Sequence, residues 1–230
     1  MPKNLIITGG PSHPFEETAP QLAELLGECG FDSDVSFDIE GSLARFADGG
    51  YDLLTVHCLR WSMTQHEKYE PLRAQWAFSL SEKSRRTIAG HVARGGGLFG
   101  IHTAPISFDD WPEWADLLGV AWRWNTSYHP PLGPLQVRSR SALEPLGLDC
   151  AFTVVDEFYS NLEIKPWMKP FMEALHPEGG DWRPIAVAGE QNGARRVFCG
   201  LGHEAASFAQ ADNRRLICRA ARWLTRQPVS

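Results

Sequence analysis

An α/β fold with a mostly parallel central sheet flanked by helices is predicted by three observations. Strand-like and helix-like stretches alternate from the N-terminus. The run Leu98-Phe99-Gly100-Ile101 is apolar on both faces, as a central parallel strand is. The length of 230 residues suits one sheet with its covering helices, so a single domain over 1–230 is expected.

The elements follow in order. Residues 3–8 read as a first strand, followed by a helix to about Cys29 with Thr18 as its cap, Pro20 in its first turn and Leu22, Leu25 and Leu26 as its apolar face. A strand over 33–37, a short helix and a strand over 51–56 complete a βαβαβ unit. Residues 81–94 read as a helix stopped by Gly95-Gly96-Gly97. From 111 to about 162 the pattern is less regular, with a short helix over 111–118 and strand-like pieces over 135–138 and 152–155, an elaboration at the sheet edge. Two short strands, 185–188 and 196–199, flank the turn-like 189–193, and a helix over 213–226 closes the chain.

Composition narrows the function classes. The formal charge is −6 and the basic residues are scattered, so neither nucleic acid nor membrane is expected as a partner. The N-terminus lacks a signal-peptide core, which predicts a cytoplasmic location. Cys29, Cys58, Cys150, Cys199 and Cys218 are odd in number and form no C-x-x-C pair, which predicts reduced thiols.

The histidines carry the functional signal, because ligands of open α/β sheets bind beyond the carboxyl ends of the strands. His57, His102 and His203 each follow an apolar run directly, and His13 lies a few residues past the first strand. If those strands are parallel, the four imidazoles line one cleft. His66, His91 and His176 are read as structural. Imidazoles need a carboxylate partner for metal binding or proton transfer, and Glu157 in Asp156-Glu157-Phe158-Tyr159 is the first candidate, with Glu204 second. The apex of Gly100-Ile101-His102-Thr103-Ala104 is an imidazole and not a Ser or Cys, so covalent thiol chemistry is not expected. Thr8-Gly9-Gly10 and Gly95-Gly96-Gly97 complete no nucleotide motif. Trp111, Trp114, Trp122, Trp124 and Tyr128 cluster in one segment that suits sugar stacking, core packing or a homo-oligomer contact.

Together, Thr8-Gly9-Gly10-Pro11-Ser12-His13-Pro14, the 95–102 run, Asp156-Glu157-Phe158-Tyr159 and the 196–208 segment around Gly202-His203-Glu204 give a chain that resembles the ThuA-like family, named for trehalose utilisation. The resemblance implies a flavodoxin-like, class I glutamine amidotransferase-like fold with His102 where amidotransferases carry their thiol. It brings in His129, from Ser127-Tyr128-His129-Pro130, and implies work on disaccharides or their keto forms. The expected enzyme uses His102, His203 and Glu157 for acid–base chemistry on a sugar substrate, with Tyr159 positioning a hydroxyl and His13, His57, His129 and Trp124 contacting the sugar. A divalent metal such as zinc would sit on His102, His203 and Glu157. The other expectation is a non-catalytic sugar-binding accessory protein on the same scaffold.

Overall fold

The computed structural model describes residues 1–139 and 146–229. The chain begins as expected: β1 (Lys3–Gly9), α1 (Phe15–Glu28), β2 (Asp32–Ser36), α2 (Ile39–Ala47) and β3 (Leu53–Cys58). A 3₁₀ turn (Glu67–Tyr69), α3 (Glu70–Trp76) and α4 (Glu82–Ala93) lead into β4 (Gly97–Ile101). Then come α5 (Trp114–Leu118), β5 (Val120–Ala121), β6 (Gly133–Ser139), β7 (Cys150–Asp156), β8 (Glu163–Ile164) and β9 (Lys169–Leu175). The chain ends with β10 (Trp182–Gln191), β11 (Ala194–Cys199), α6 (Ala205–Ala209) and α7 (Ala211–Leu224).

Nine strands form one sheet in the order β2-β1-β3-β4-β11-β10-β9-β6-β7. The first five strands of that order pair in parallel and the remaining pairings are antiparallel, so the expectation of a mostly parallel sheet is corrected to a mixed one. The physical reason lies in the hairpin: Asn192 (φ 53°) and Gly193 (φ 76°) make a two-residue left-handed turn that folds β11 back on β10. β9 and β10, joined by residues 176–181, likewise pair by direct return rather than through a helical crossover.

In the parallel half, alternate side chains feed two cores. Ile6, Leu53, Phe99, Ile101 and Val197 pack beneath α1 and α7, while Leu5, Ile7, Leu54, Val56 and Leu98 pack against α2, α4 and α5. Helix α1 starts four residues earlier than expected. Pro14 is its N-cap, and Thr18 instead sits inside the first turns, where its hydroxyl donates to the Pro14 carbonyl at 3.1 Å. Helix α4 starts as expected, capped by Ser81 through Ser84 N at 3.2 Å.

Cys29 and Cys218 form a disulfide with Cα atoms 5.6 Å apart, which corrects the expectation of reduced thiols for this pair. The partners are 189 residues apart, and α1 meets α7 only in the folded chain, so sequence spacing could not reveal them. Cys58, Cys150 and Cys199 are free.

Candidate functional site

The parallel half aligns the strand ends that carry the site. β11 runs parallel to β4 with Cys199 opposite Ile101, so the residues following each strand emerge side by side. His102 follows β4 in a left-handed turn (φ 49°), an uncommon backbone state for a residue with a side chain. Its amide donates to the Cys199 carbonyl at 2.7 Å, and its ring Nδ1 lies 2.7 Å from the Gly200 carbonyl. A carbonyl only accepts, so Nδ1 carries a proton, and in the neutral ring it is Nε2 that presents a lone pair.

His13 and His203 are oriented in the same way. His13 Nδ1 faces the Pro11 carbonyl at 3.3 Å, and His203 Nδ1 faces Glu204 Oε1 at 3.1 Å. Each therefore turns its Nε2 inward. His13 Nε2 is 3.2 Å from His102 Nε2, while Glu157 places Oε2 3.5 Å from His102 Nε2 and Oε1 3.5 Å from His203 Nε2. One donor atom from each of His13, His102, Glu157 and His203 lies within 4.8 Å of all the others. Glu157 Oε2 is buried and accepts no hydrogen bond.

Glu157 reaches this cluster although β7 lies at the far edge of the sheet from β4. The antiparallel half curls back, and Asp156 fastens it. Its buried carboxylate accepts from Gly202 N at 2.7 Å, His203 N at 3.3 Å, Glu157 N at 2.8 Å and the Ser207 hydroxyl. Asp156 received no role from sequence; the available signal was an acid on the buried side of a strand end, where an unpaired carboxylate would be costly.

The electrostatics follow from this crowding. Burial opposes charge on His102, yet the Glu157 and Asp156 carboxylates and the Gly200 carbonyl outweigh it and raise its pKa. Burial, with the neighbouring His102 and His203 charges, lowers His13 to about 3. For Glu157 burial favours the neutral acid, but the surrounding His102, His129 and His203 prevail and hold its pKa below the usual value. Tyr159 is pushed well above its ordinary pKa by burial and by Glu157 and Asp156, so its phenol, 3.4 Å from His102 Nε2, stays protonated.

The remaining expected residues fall in different places. His129 lies on the rim, with Nδ1 3.4 Å from Glu157 Oε1. Trp124 is set farther out, in a groove of about 500 Å³ that also takes in Trp122, Tyr69 and His129. His57 does not reach the cleft, which corrects its expected contact with substrate. Its position on β3 turns the ring under α1, where it is fully buried, bonds Thr18 Oγ1 at 3.0 Å and packs edge-on against Phe15 and Phe208. His13 moves the other way, from an expected sugar contact into the central cluster. His91 bonds the Gly97 carbonyl at 2.9 Å, His176 bonds Ser160 at 2.9 Å, and His66 accepts from Lys68 N at 3.0 Å, all local structural contacts.

The fold and site define a mixed α/β protein with a three-histidine, one-carboxylate centre at the ends of its parallel strands. The chain belongs to the ThuA family, described as trehalose utilisation, which it matches over residues 4–224. No curated protein matches it. Among solved structures, a thua-like protein from Parabacteroides merdae superposes with a TM-score of 0.76 at 19% identity, covering 98% of this chain and 90% of that one. A thua-like protein from Bacteroides uniformis gives 0.65 at 18% identity, with 97% and 91% covered. A protein described as cytoplasmic from Salmonella typhimurium gives 0.60 at 13% identity, with 96% and 99% covered. At these identities the likeness is one of fold. Among the described residues, no helix is long and apolar enough to cross a membrane.

Proposed function

We propose that the protein is an enzyme of carbohydrate catabolism, acting on a trehalose-like disaccharide or its keto form at a divalent-metal centre formed by His13, His102, His203 and Glu157. The observation that carries this reading is the common aim of three imidazoles, each with Nδ1 held by an acceptor, the Nε2 atoms of His102 and His203 turned towards Glu157 and that of His13 towards His102. Such backing contacts orient histidines for metals. With both rings neutral and protonated at Nδ1, His13 and His102 oppose lone pairs at 3.2 Å, a contact that either a proton on His102 Nε2 or a metal cation satisfies. A tetrahedral zinc site with bonds of ~2.1 Å has ligand–ligand edges of about 3.4 Å. The 3.2 Å between His13 and His102 and the 3.5 Å from His102 and His203 to the two different oxygens of Glu157 are near that length, and one donor atom from each residue lies within 4.8 Å of the others.

A bound metal would polarise a substrate carbonyl or hydroxyl. Glu157, kept ionised, is placed to take a proton from the adjacent carbon or water, and the protonated Tyr159 to donate a hydrogen bond to a substrate oxygen. His129 and Trp124 extend the site towards the rest of the sugar. The scaffold reading is amidotransferase-like and flavodoxin-like, supported by the parallel strand order β2-β1-β3-β4-β11 and by the left-handed His102 at the turn after β4. A cytoplasmic location belongs to the same proposal and is supported by the description of the Salmonella neighbour.

The test is turnover of trehalose and 3-ketotrehalose by zinc-replete protein, before and after chelation. Conversion that chelation abolishes and zinc restores is expected. Tight binding without conversion would instead support the non-catalytic sugar-binding reading, for which the absent nucleophile at position 102 is the supporting observation.

A further inference from the structure

A second pocket opens on the other side of His13, at the carboxyl ends of β1 and β3. It occupies about 230 Å³ and is lined by Thr8, Gly9, Gly10, Glu16, Arg60 and Trp76 together with His13. Helix α1 leaves β1 on one face of the sheet while α2 and α4 cover the other, and β2 and β3 lie on opposite sides of β1. The gap between β1 and β3 is thus the point where the strand order reverses, a recurrent ligand position in open α/β sheets.

Two buried polar atoms here have no hydrogen-bond partner among the described residues. Thr8 is 1% exposed and its hydroxyl is buried without a hydrogen bond. Arg60 Nε is also buried without a partner, and among the described residues no carboxylate pairs with its guanidinium. Leaving such groups unsatisfied is costly, about 1–3 kcal/mol for a buried donor or acceptor. Arg60 is nevertheless held in place. Its guanidinium lies 5.6 Å from the Trp76 ring centre and 5.0 Å from that of Phe78, and its amide donates to Ser107 Oγ at 3.2 Å. Opposite it, α1 begins at Pro14 with no side-chain cap; the Phe15 amide donates to the His13 carbonyl at 2.9 Å and the Glu17 and Thr18 amides to the Pro14 carbonyl at 3.0 and 2.9 Å, which leaves the Glu16 N–H of the first turn for another acceptor. Gly10, which lines the pocket, packs its backbone against the segment after β3, since a Cβ there would fall 2.3 Å from the Leu59 carbonyl oxygen.

We infer that this pocket binds a small oxyanion, the carboxylate or phosphoryl group of a ligand, through the Arg60 guanidinium, the Thr8 hydroxyl and the Glu16 amide in the first turn of α1. The unpartnered Thr8 and Arg60 nitrogen are the donors such a group satisfies, and a fork-shaped guanidinium matches its paired oxygens. The volume falls below the roughly 300–1,000 Å³ of sites for drug-sized ligands, so a single charged group fits and a nucleotide does not. His13 lines this pocket and also faces His102, so a ligand anchored here extends towards the His/Glu centre. The inference stands independently of whether that centre holds a metal.

The test titrates glycine-¹⁵N-labelled full-length protein with inorganic phosphate and, separately, with acetate, following the Gly9 and Gly10 amides by NMR. Saturable shifts with at least one probe are expected, and the stronger probe tells phosphoryl from carboxylate. Arg60→Gln should weaken binding at least about tenfold. Thr8→Val, which removes a hydroxyl without a protein partner, should weaken it several-fold while leaving thermal stability unchanged or higher, a split that a structural role would not produce. Glu16→Gln removes the acid from the lining and should tighten binding. No saturable shift with either probe, or shifts that Arg60→Gln and Thr8→Val leave unchanged, would overturn the proposal. Loss of binding in Glu157→Gln with retention in Arg60→Gln would also overturn it, by placing the anion at the histidine centre. Should Arg60→Gln fail to fold, Thr8→Val decides.

Discussion

Asp156 and His102 divide the work at the scale of single residues. His102 points its Nε2 inward, and Asp156 holds the two segments that surround it, β7 with Glu157 and the turn after β11 with His203. Replacing Asp156 by Ala would leave buried donors at Gly202 and Ser207 unsatisfied, so urea unfolding should show a loss of about 3 kcal/mol or more. A loss within a few tenths of wild type would refute that role. His91 offers a pH test away from the cluster. Burial lowers its pKa, so below 6.5 the unfolded chain takes up a proton that the folded chain resists. Its stabilising contribution is therefore complete above pH 6.5 and declines as pH falls, by at most about 1.4 kcal/mol per unit. The stability gap between wild type and His91→Gln should narrow from pH 7 to pH 5; a constant or widening gap would contradict the assignment. The strand-end positions of His102 and His203 were legible because an apolar run that stops at a polar residue marks the end of a buried strand. The orientation of His57 was not, because it depends on which face the last strand residue turns to and on what α1 and Phe208 cover.

Elements were legible in proportion to their burial. β1, β3, β4 and β11 are covered on both faces and read as apolar runs, whereas β9 (Lys169–Leu175) mixes Lys, Pro and Glu into a half-exposed strand. Its start overlaps a Pro-rich stretch that sequence alone presents as loop. The Gly95-Gly96-Gly97 run, which matched no nucleotide motif, has a packing explanation: a Cβ on Gly96 would fall 2.2 Å from the His91 ring, which crosses there to bond Gly97. Glycines in different settings should respond with opposite signs. Gly10→Ala places a Cβ against the Leu59 carbonyl at a φ of +144° and should cost about 2–3 kcal/mol by thermal or urea unfolding. Gly27→Ala, within α1 and with nothing in 4 Å of the added carbon, should stabilise by ~0.5–1 kcal/mol. Equal effects at the two positions would count against the described turn after β1.

The whole molecule joins a parallel half that carries the histidines to an antiparallel half that returns the carboxylate. No local pattern encodes that return, because β7 and β11 are separated by three strands in the sheet and meet only through its curl and Asp156. The same holds for the Cys29–Cys218 link between α1 and α7. The most direct test of the account is elemental analysis of purified protein after reconstitution with zinc and removal of excess metal. The account predicts about one ion per chain in the wild type and in His129→Ala, falling to less than about a tenth of that in His102→Ala and in Glu157→Ala. A wild-type protein that retains no ion, or a His102→Ala variant that retains it fully, would contradict the metal centre.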